Sequence, residues 1–138
     1  MRKIIHPEWF NITTYKYEQE ADAEFDGATG VLLTPKYNLK GKITIPAEIM
    51  HDGEMKPVIA IGGFKGLDIT HVFMEENKEN KLYSIETKAF QNASNLIYFD
   101  FDKCAVRTIR QSAFQFCKKL TNTTFGNQLF YVHSHAFN

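Results

Sequence analysis

A single period governs this chain. The segments SIETKAFQNASNL at residues 84–96 and TIRQSAFQFCKKL at residues 108–120 share an isoleucine, then Ala-Phe, then a small residue, then leucine, at identical offsets. A further copy, YVHSHAFN, occupies residues 131–138, and a shortened one, AIGGFKGL, occupies residues 60–67. Isoleucine or valine therefore recurs at Ile61, Ile85, Ile109 and Val132, with spacings of 24, 24 and 23. Three residues before each stands another aliphatic, Val58, Leu82, Val106 and Leu129, and a phenylalanine follows each at Phe64, Phe90, Phe114 and Phe137. Such a period specifies a solenoid: one coil has no second layer to bury its Ile, Phe and Leu against, so each must cover the next.

A second block precedes each of these, with apolar residues two apart at Ile43 and Ile45, Val72 and Met74, Phe99 and Phe101, and a weaker pair at Thr123 and Phe125. Spacing by two puts both side chains on one face of a strand and turns the residues between and beside them outward. Stacking of these strands is expected to present Lys42 and Thr44, His71 and Phe73, Tyr98 and Asp100, and Asn122 and Thr124 as a mixed aromatic and polar ladder. The copies differ in length almost entirely within residues 46–57, 75–81, 102–105 and 126–128, which carry turn formers such as Pro46, Asp52-Gly53, Asn77 and Gly126-Asn127 and read as loops. Alanine before each phenylalanine fits a tight helical turn. Cys117, at the site equivalent to Ala93, reads as a small apolar residue rather than a reactive one.

The motif as it stands, L-x-x-I-x-I followed by V-x-x-I-x-x-x-AF-x-x-C-x-x-L, resembles the BspA-like, or Treponema-type, leucine-rich repeats over about residues 39–138. The segment leading into it matches as well, through Ala28-Thr29, Tyr37, Gly41, Ile43, Ile45, Pro46, Gly53, Val58, Ile61 and Gly62. The resemblance implies a mainly β fold: a right-handed leucine-rich-repeat solenoid of about four coils with short helical turns, preceded by a β-rich N-terminal cap over residues 1–38. Members of the family are mostly cell-surface or secreted proteins associated with adhesion, and they share no catalytic residues. In this chain proline follows the inner strand only at Pro46, where later copies have Glu75, Asp102 and Gly126.

Charge narrows the partners. Sixteen basic residues balance sixteen acidic ones without local concentration, so the electrostatic footprint of a nucleic-acid or anionic-membrane binder is missing. No apolar run approaches the roughly 20 residues needed to cross a bilayer. Arg2 and Lys3 precede Ile4 and Ile5, but His6, Pro7 and Glu8 interrupt before an h-region forms, so no secretory signal is expected. Two cysteines, Cys104 and Cys117, are too few for a disulfide scaffold. Glycosylation triplets at Asn11, Asn92 and Asn122 matter only in a glycosylating pathway.

Asp22, Glu24, Asp26 and Gly27 imitate the start of an EF-hand loop, but Leu33 stands where its bidentate Glu is required. His133 and His135 alternate as though along one side of an extended segment, without the Cys or carboxylate pattern of a metal site. His51, Asp52 and Glu54 read as a solvated turn. No cofactor and no metal is expected.

Two functions follow. The first is a non-catalytic binding or adhesion module whose ladder meets a protein or cell-surface glycan, since aromatic side chains bury much area with defined geometry. The second is a structural or host-recognition component of a larger assembly, such as a bacteriophage virion or tail fibre, a reading motivated by a surface-type repeat without an export signal. Either way the last coil, with Phe125, Leu129, Val132 and Phe137, is expected to be an edge for self-association or docking.

Overall fold

The alternation of apolar side chains becomes ten strands in the computed structural model, which describes residues 5–122, 125 and 128–138. They are β1 (Phe10–Lys16), β2 (Thr29–Pro35), β3 (Lys40–Ile45), β4 (Glu48–His51), β5 (Glu54–Ile61), β6 (Asp68–Met74), β7 (Ser84–Ile85), β8 (Tyr98–Phe99), β9 (Thr108–Ile109) and β10 (Tyr131–Val132). The helical segments among the described residues are two short 3₁₀ turns, Pro7–Trp9 and Phe101–Lys103.

Two sheets result. The first runs β1-β2-β5-β7-β9-β10, with β4 attached to β5, and is parallel from β2 to β10. Its in-register partners are Leu33, Ile61, Ile85, Ile109 and Val132, so the repeated aliphatic position stacks coil on coil. The N-terminal cap supplies the first layer through Leu33. The second sheet is β3-β6-β8, and Ile43, Val72 and Phe99 form its inner row. Opposite Gly41, β6 carries one extra residue, Thr70, so Ile69 and Val72 both point inward although three apart. Gly41 takes φ +74 at this bulge, a conformation that costs glycine little.

Between the two sheets lies the phenylalanine column. Phe64, Phe90, Phe114 and Phe137 stack nearly parallel, with ring centroids 4.8, 5.3 and 5.2 Å apart. Phe99 and Phe101 meet Phe114 edge-on at 5.4 and 5.3 Å, an arrangement the ring quadrupole favours.

The Ala-Phe segments are not helical. They are successive tight turns in which Lys88, Asn92, Ser112, Phe116 and His135 take φ between 59° and 65°. This geometry aims alternate N–H groups along the solenoid axis: Phe64, Phe90 and Phe114 donate to the carbonyls of Ala89, Ala113 and Ala136 at 2.7, 2.6 and 2.6 Å. A helix would direct those donors into its own turn. Here they join coil to coil, and the small side chains of Ala89, Ala113 and Ala136 are buried beside the joint.

A second difference concerns residues 46–57, expected to be a loop. They form most of a β-hairpin, β4 paired antiparallel with the first half of β5, closed by Asp52 at φ 53° and Gly53 at φ 81°. Asp-Gly at a two-residue hairpin turn is the reason.

Phe90 and Phe114 are fully enclosed, so replacing either with alanine should cost about 3–5 kcal/mol. The exposed Lys65 and Lys118 replaced with alanine should leave stability within about 0.5 kcal/mol of the parent. Urea unfolding of the four variants checks the register, and equal midpoints would refute it.

Candidate binding surface

The second sheet turns one face to the core and the other outward. Register places Lys42, His71 and Tyr98 side by side in one outward row, and Thr44 beside Phe73 in the next. The three rings form a cluster: His71 lies 5.7 Å from Phe73 and 6.3 Å from Tyr98, and Phe73 lies 5.9 Å from Tyr98. All three are half-buried, and Lys42 is exposed beside them.

Other members of the expected ladder are placed differently. Thr44, a short side chain next to the large Phe73, is buried. Asp100 is buried too, because β8 stops at Phe99 and Asp100 leaves the extended conformation, with ψ 55°. Its carboxylate turns back to accept the Met74 N–H at 2.9 Å and the Tyr98 hydroxyl at 2.5 Å. That carboxylate pushes the Tyr98 phenol up to about 12, so Tyr98 stays protonated at neutral pH. Asn122 lies along the edge of β8: its amide oxygen accepts from the Phe99 N–H at 3.3 Å and its nitrogen donates to the Phe99 carbonyl at 2.7 Å. One side chain thus stands in for the backbone of a neighbouring strand. Thr124 lies outside the described residues.

At the last coil the expected edge residues divide. Phe125 and Leu129 are half-buried, with Phe125 against Phe101 at 4.7 Å, whereas Val132 and Phe137 are exposed. Phe130 and Tyr131 are exposed with them.

His133 and His135 do not share an extended segment, because β10 ends at Val132 and His135 takes φ 59°. The His133 ring packs on Tyr131 at 4.4 Å, and His135 Nδ1 lies 3.1 Å from the Asn138 amide. His51 pairs with Glu54 at the hairpin end rather than in a free loop. Burial pushes the Cys104 thiol up to about 12 and that of Cys117 to about 11, values that leave little nucleophilic thiolate at neutral pH. Among the described residues no helix is long and apolar enough to cross a membrane.

The stacked register, the Ala-Phe turns and the two sheets now stand beside the known families. Residues 57–138 match the BspA type leucine rich repeat region, in six copies. The chain belongs to this family. No curated protein matches it. A leucine rich cell surface protein from Faecalibacterium prausnitzii has a similar fold, with a TM-score of 0.52 over 72% of this chain at 20% identity. The chain spans about a third of that protein, 33% of its length.

Within this BspA-type solenoid the feature that sequence reasoning missed is an ionic strap. Asp22, set aside above as a false calcium ligand, is buried and accepts from Arg107 Nε at 2.9 Å and from Nη2 at 2.5 Å. Tyr17, fully buried, donates to the same carboxylate at 3.1 Å and lies 2.6 Å from the Thr108 hydroxyl. The Arg107 guanidinium also covers the Phe25 ring at 4.3 Å and donates to the Gln128 carbonyl at 2.7 Å. Residues 17–28 are thereby pinned across the outer face of the first sheet. An Asp and an Arg 85 residues apart leave no local pattern to find.

Arg107, more strongly than burial opposes it, holds the Asp22 carboxyl below the usual carboxylate range. The stability this contributes is present above the unfolded-chain value of about 3.9 and is lost as pH falls through the lower folded value. Asp22→Ala, which strands a largely buried guanidinium, should cost about 3–5 kcal/mol at neutral pH. It should also flatten the acid side of a stability–pH profile below about pH 4. Chemical unfolding of parent and variant between acid and neutral pH would show an undiminished acid slope if the pair carried no such energy.

Proposed function

We propose that this BspA-type repeat is a non-catalytic binding module that presents the outer face of its second sheet to a protein or cell-surface glycan. The observation that carries the reading is the half-buried cluster of His71, Phe73 and Tyr98, with the exposed Lys42 ammonium beside it. Three rings fixed on two paired strands offer a preorganised apolar platform, so a ligand orders little when it binds. The Tyr98 hydroxyl, tied to Asp100, fixes that ring, and the His71 Nδ1 contact with Thr70 at 2.9 Å anchors the imidazole. A ring edge, an imidazole and an ammonium together suit a polar ligand with one apolar face, such as a sugar ring or an aromatic-bearing peptide. The fold shared with a leucine rich cell surface protein supports recognition as the role.

The test uses the chain immobilised against an array of glycans and of extracellular proteins, beside a Phe73→Ala/Tyr98→Ala variant of verified fold. The parent should bind at least one class, and the variant should lose affinity roughly 10- to 100-fold, as loss of central aromatic anchors does. Undiminished binding by the variant would move the site elsewhere on the solenoid.

A further inference from the structure

We propose that the hairpin of β4 and β5 and the groove beside it form a second docking site, which takes a basic segment of a partner protein carrying an apolar side chain. Chain length gives the first argument. Between the second sheet and the first, the later coils cross in residues 75–81, 102–105 and 126–128, which are seven, four and three residues, whereas residues 46–57 number twelve. The stack does not need the extra length. It is spent on a hairpin that sends Ile49 of β4 into the core and leaves Met50, Asp52, Gly53, Glu54 and Met55 exposed. Additions of this kind to a rigid scaffold are where binding residues concentrate.

The side chains give the second. Met50 and Met55 are partners across the hairpin, 56% and 51% exposed, while Met74 inside the stack is 1% exposed. With Ile12, Pro46 and Ile49 they line an open groove of about 320 Å³, where the ends of β3 and β6 leave the second sheet. That volume holds one or two anchor side chains of a bound segment. Unbranched thioethers adapt to the shape they meet, which suits methionine to gripping apolar side chains. The buried Ile49 and the ladder to β5 hold β4 in place, so the groove exists before a ligand arrives.

Charge selects the occupant. Residues 46–57 and 75–81, which border the groove, hold six acidic and three basic residues in a chain whose net charge is zero. Lys78 pairs with Glu48 at 3.5 Å and Lys56 with Glu54 at 4.0 Å. Glu75, which lines the groove, has no ion-pair partner among the described residues; its Oε1 accepts the Ala47 N–H at 2.8 Å. A nucleic acid or an acidic segment would meet repulsion here. A purely apolar one would strip water from carboxylates without replacing it. A Lys or Arg beside an apolar side chain answers the rim and the groove together, through a charge-assisted hydrogen bond to Glu75 and burial against the two methionines.

Selection of short random peptides from a display library by the full chain tests this, beside Met50→Ser/Met55→Ser and Glu48→Gln/Glu75→Gln variants whose fold is checked by circular dichroism. Both variants keep Ile49 and the Asp52-Gly53 turn, so both should fold. Peptides enriched on the parent should join an apolar side chain to a Lys or Arg. Fluorescence anisotropy of those peptides should show the methionine variant binding about 10-fold or more weakly, as loss of apolar anchors does. The carboxamide variant should bind more weakly too, with a shallower dependence on salt. Failure to enrich any peptide, enrichment of acidic or purely polar ones, or undiminished binding by the methionine variant would overturn the proposal. Loss of the same peptides by the Phe73→Ala/Tyr98→Ala variant would do so as well, by assigning them to the platform on the second sheet. So would dimerisation of the parent that Met50→Ser/Met55→Ser abolishes, since the groove would then belong to a second copy.

Discussion

The rest of the structure depends on one spacing, the roughly 5 Å rise from coil to coil. Backbone hydrogen bonds between neighbouring strands set it at about 4.8 Å. Stacked aromatic rings tolerate the same distance, and the phenylalanine column sits at 4.8 to 5.3 Å. The turn ladder that links Phe90 to Ala113 and Phe114 to Ala136 repeats it a third time. Three walls with one rise can share a core only if each contributes an apolar side chain at the same position of every layer. A residue inserted between Ile85 and Phe90 would rotate the ring out of the column. That constraint explains why the step is five residues from Ile85 to Phe90, Ile109 to Phe114 and Val132 to Phe137 while the polar connections vary in length. The first copy reaches the column in three, from Ile61 to Phe64, through Gly62-Gly63.

The outward rows inherit that regularity. Lys42, His71 and Tyr98 stand in register because Ile43, Val72 and Phe99 stack beneath them. The platform on the second sheet is therefore a consequence of core packing. This separates what holds the solenoid together from what it presents, and it is why a repeat scaffold suits recognition.

The inner rows were legible in the amino-acid sequence because their signal is local and repeated: Ile85, Phe90 and Leu96 recur as Ile109, Phe114 and Leu120. The outer face was legible only where strands persist. His71 and Tyr98 lie where alternation placed them, but β8 ends one residue too early for Asp100, and Asn122 spends its amide on the Phe99 backbone. The hairpin at β4 and β5 had a readable sign in Asp52-Gly53, masked by the expectation that everything between repeat positions is loop. The strap had none. Asp22 and Arg107 are each ordinary in their neighbourhoods, and only the folded chain brings them together.

The strap also changes how such a molecule should come apart. A simple solenoid is close to one-dimensional, each coil contacting only its neighbours, so it can fray one coil at a time. Tyr15 reaches Glu86 across 71 residues at 2.9 Å, Tyr17 reaches Thr108 across 91, and Asp22 reaches Arg107 across 85. The cap thus pairs with β5 through β2 and also reaches past it to the coils of β7 and β9. Loss of any one of those coils then costs the strap as well as the stack, which couples the coils from β2 to β9 into one cooperative unit. The β10 coil joins this unit through β9, the phenylalanine column, the turn ladder from Phe114 to Ala136, and Arg107, which donates to the Gln128 carbonyl and lies over the Phe130 ring at 5.4 Å.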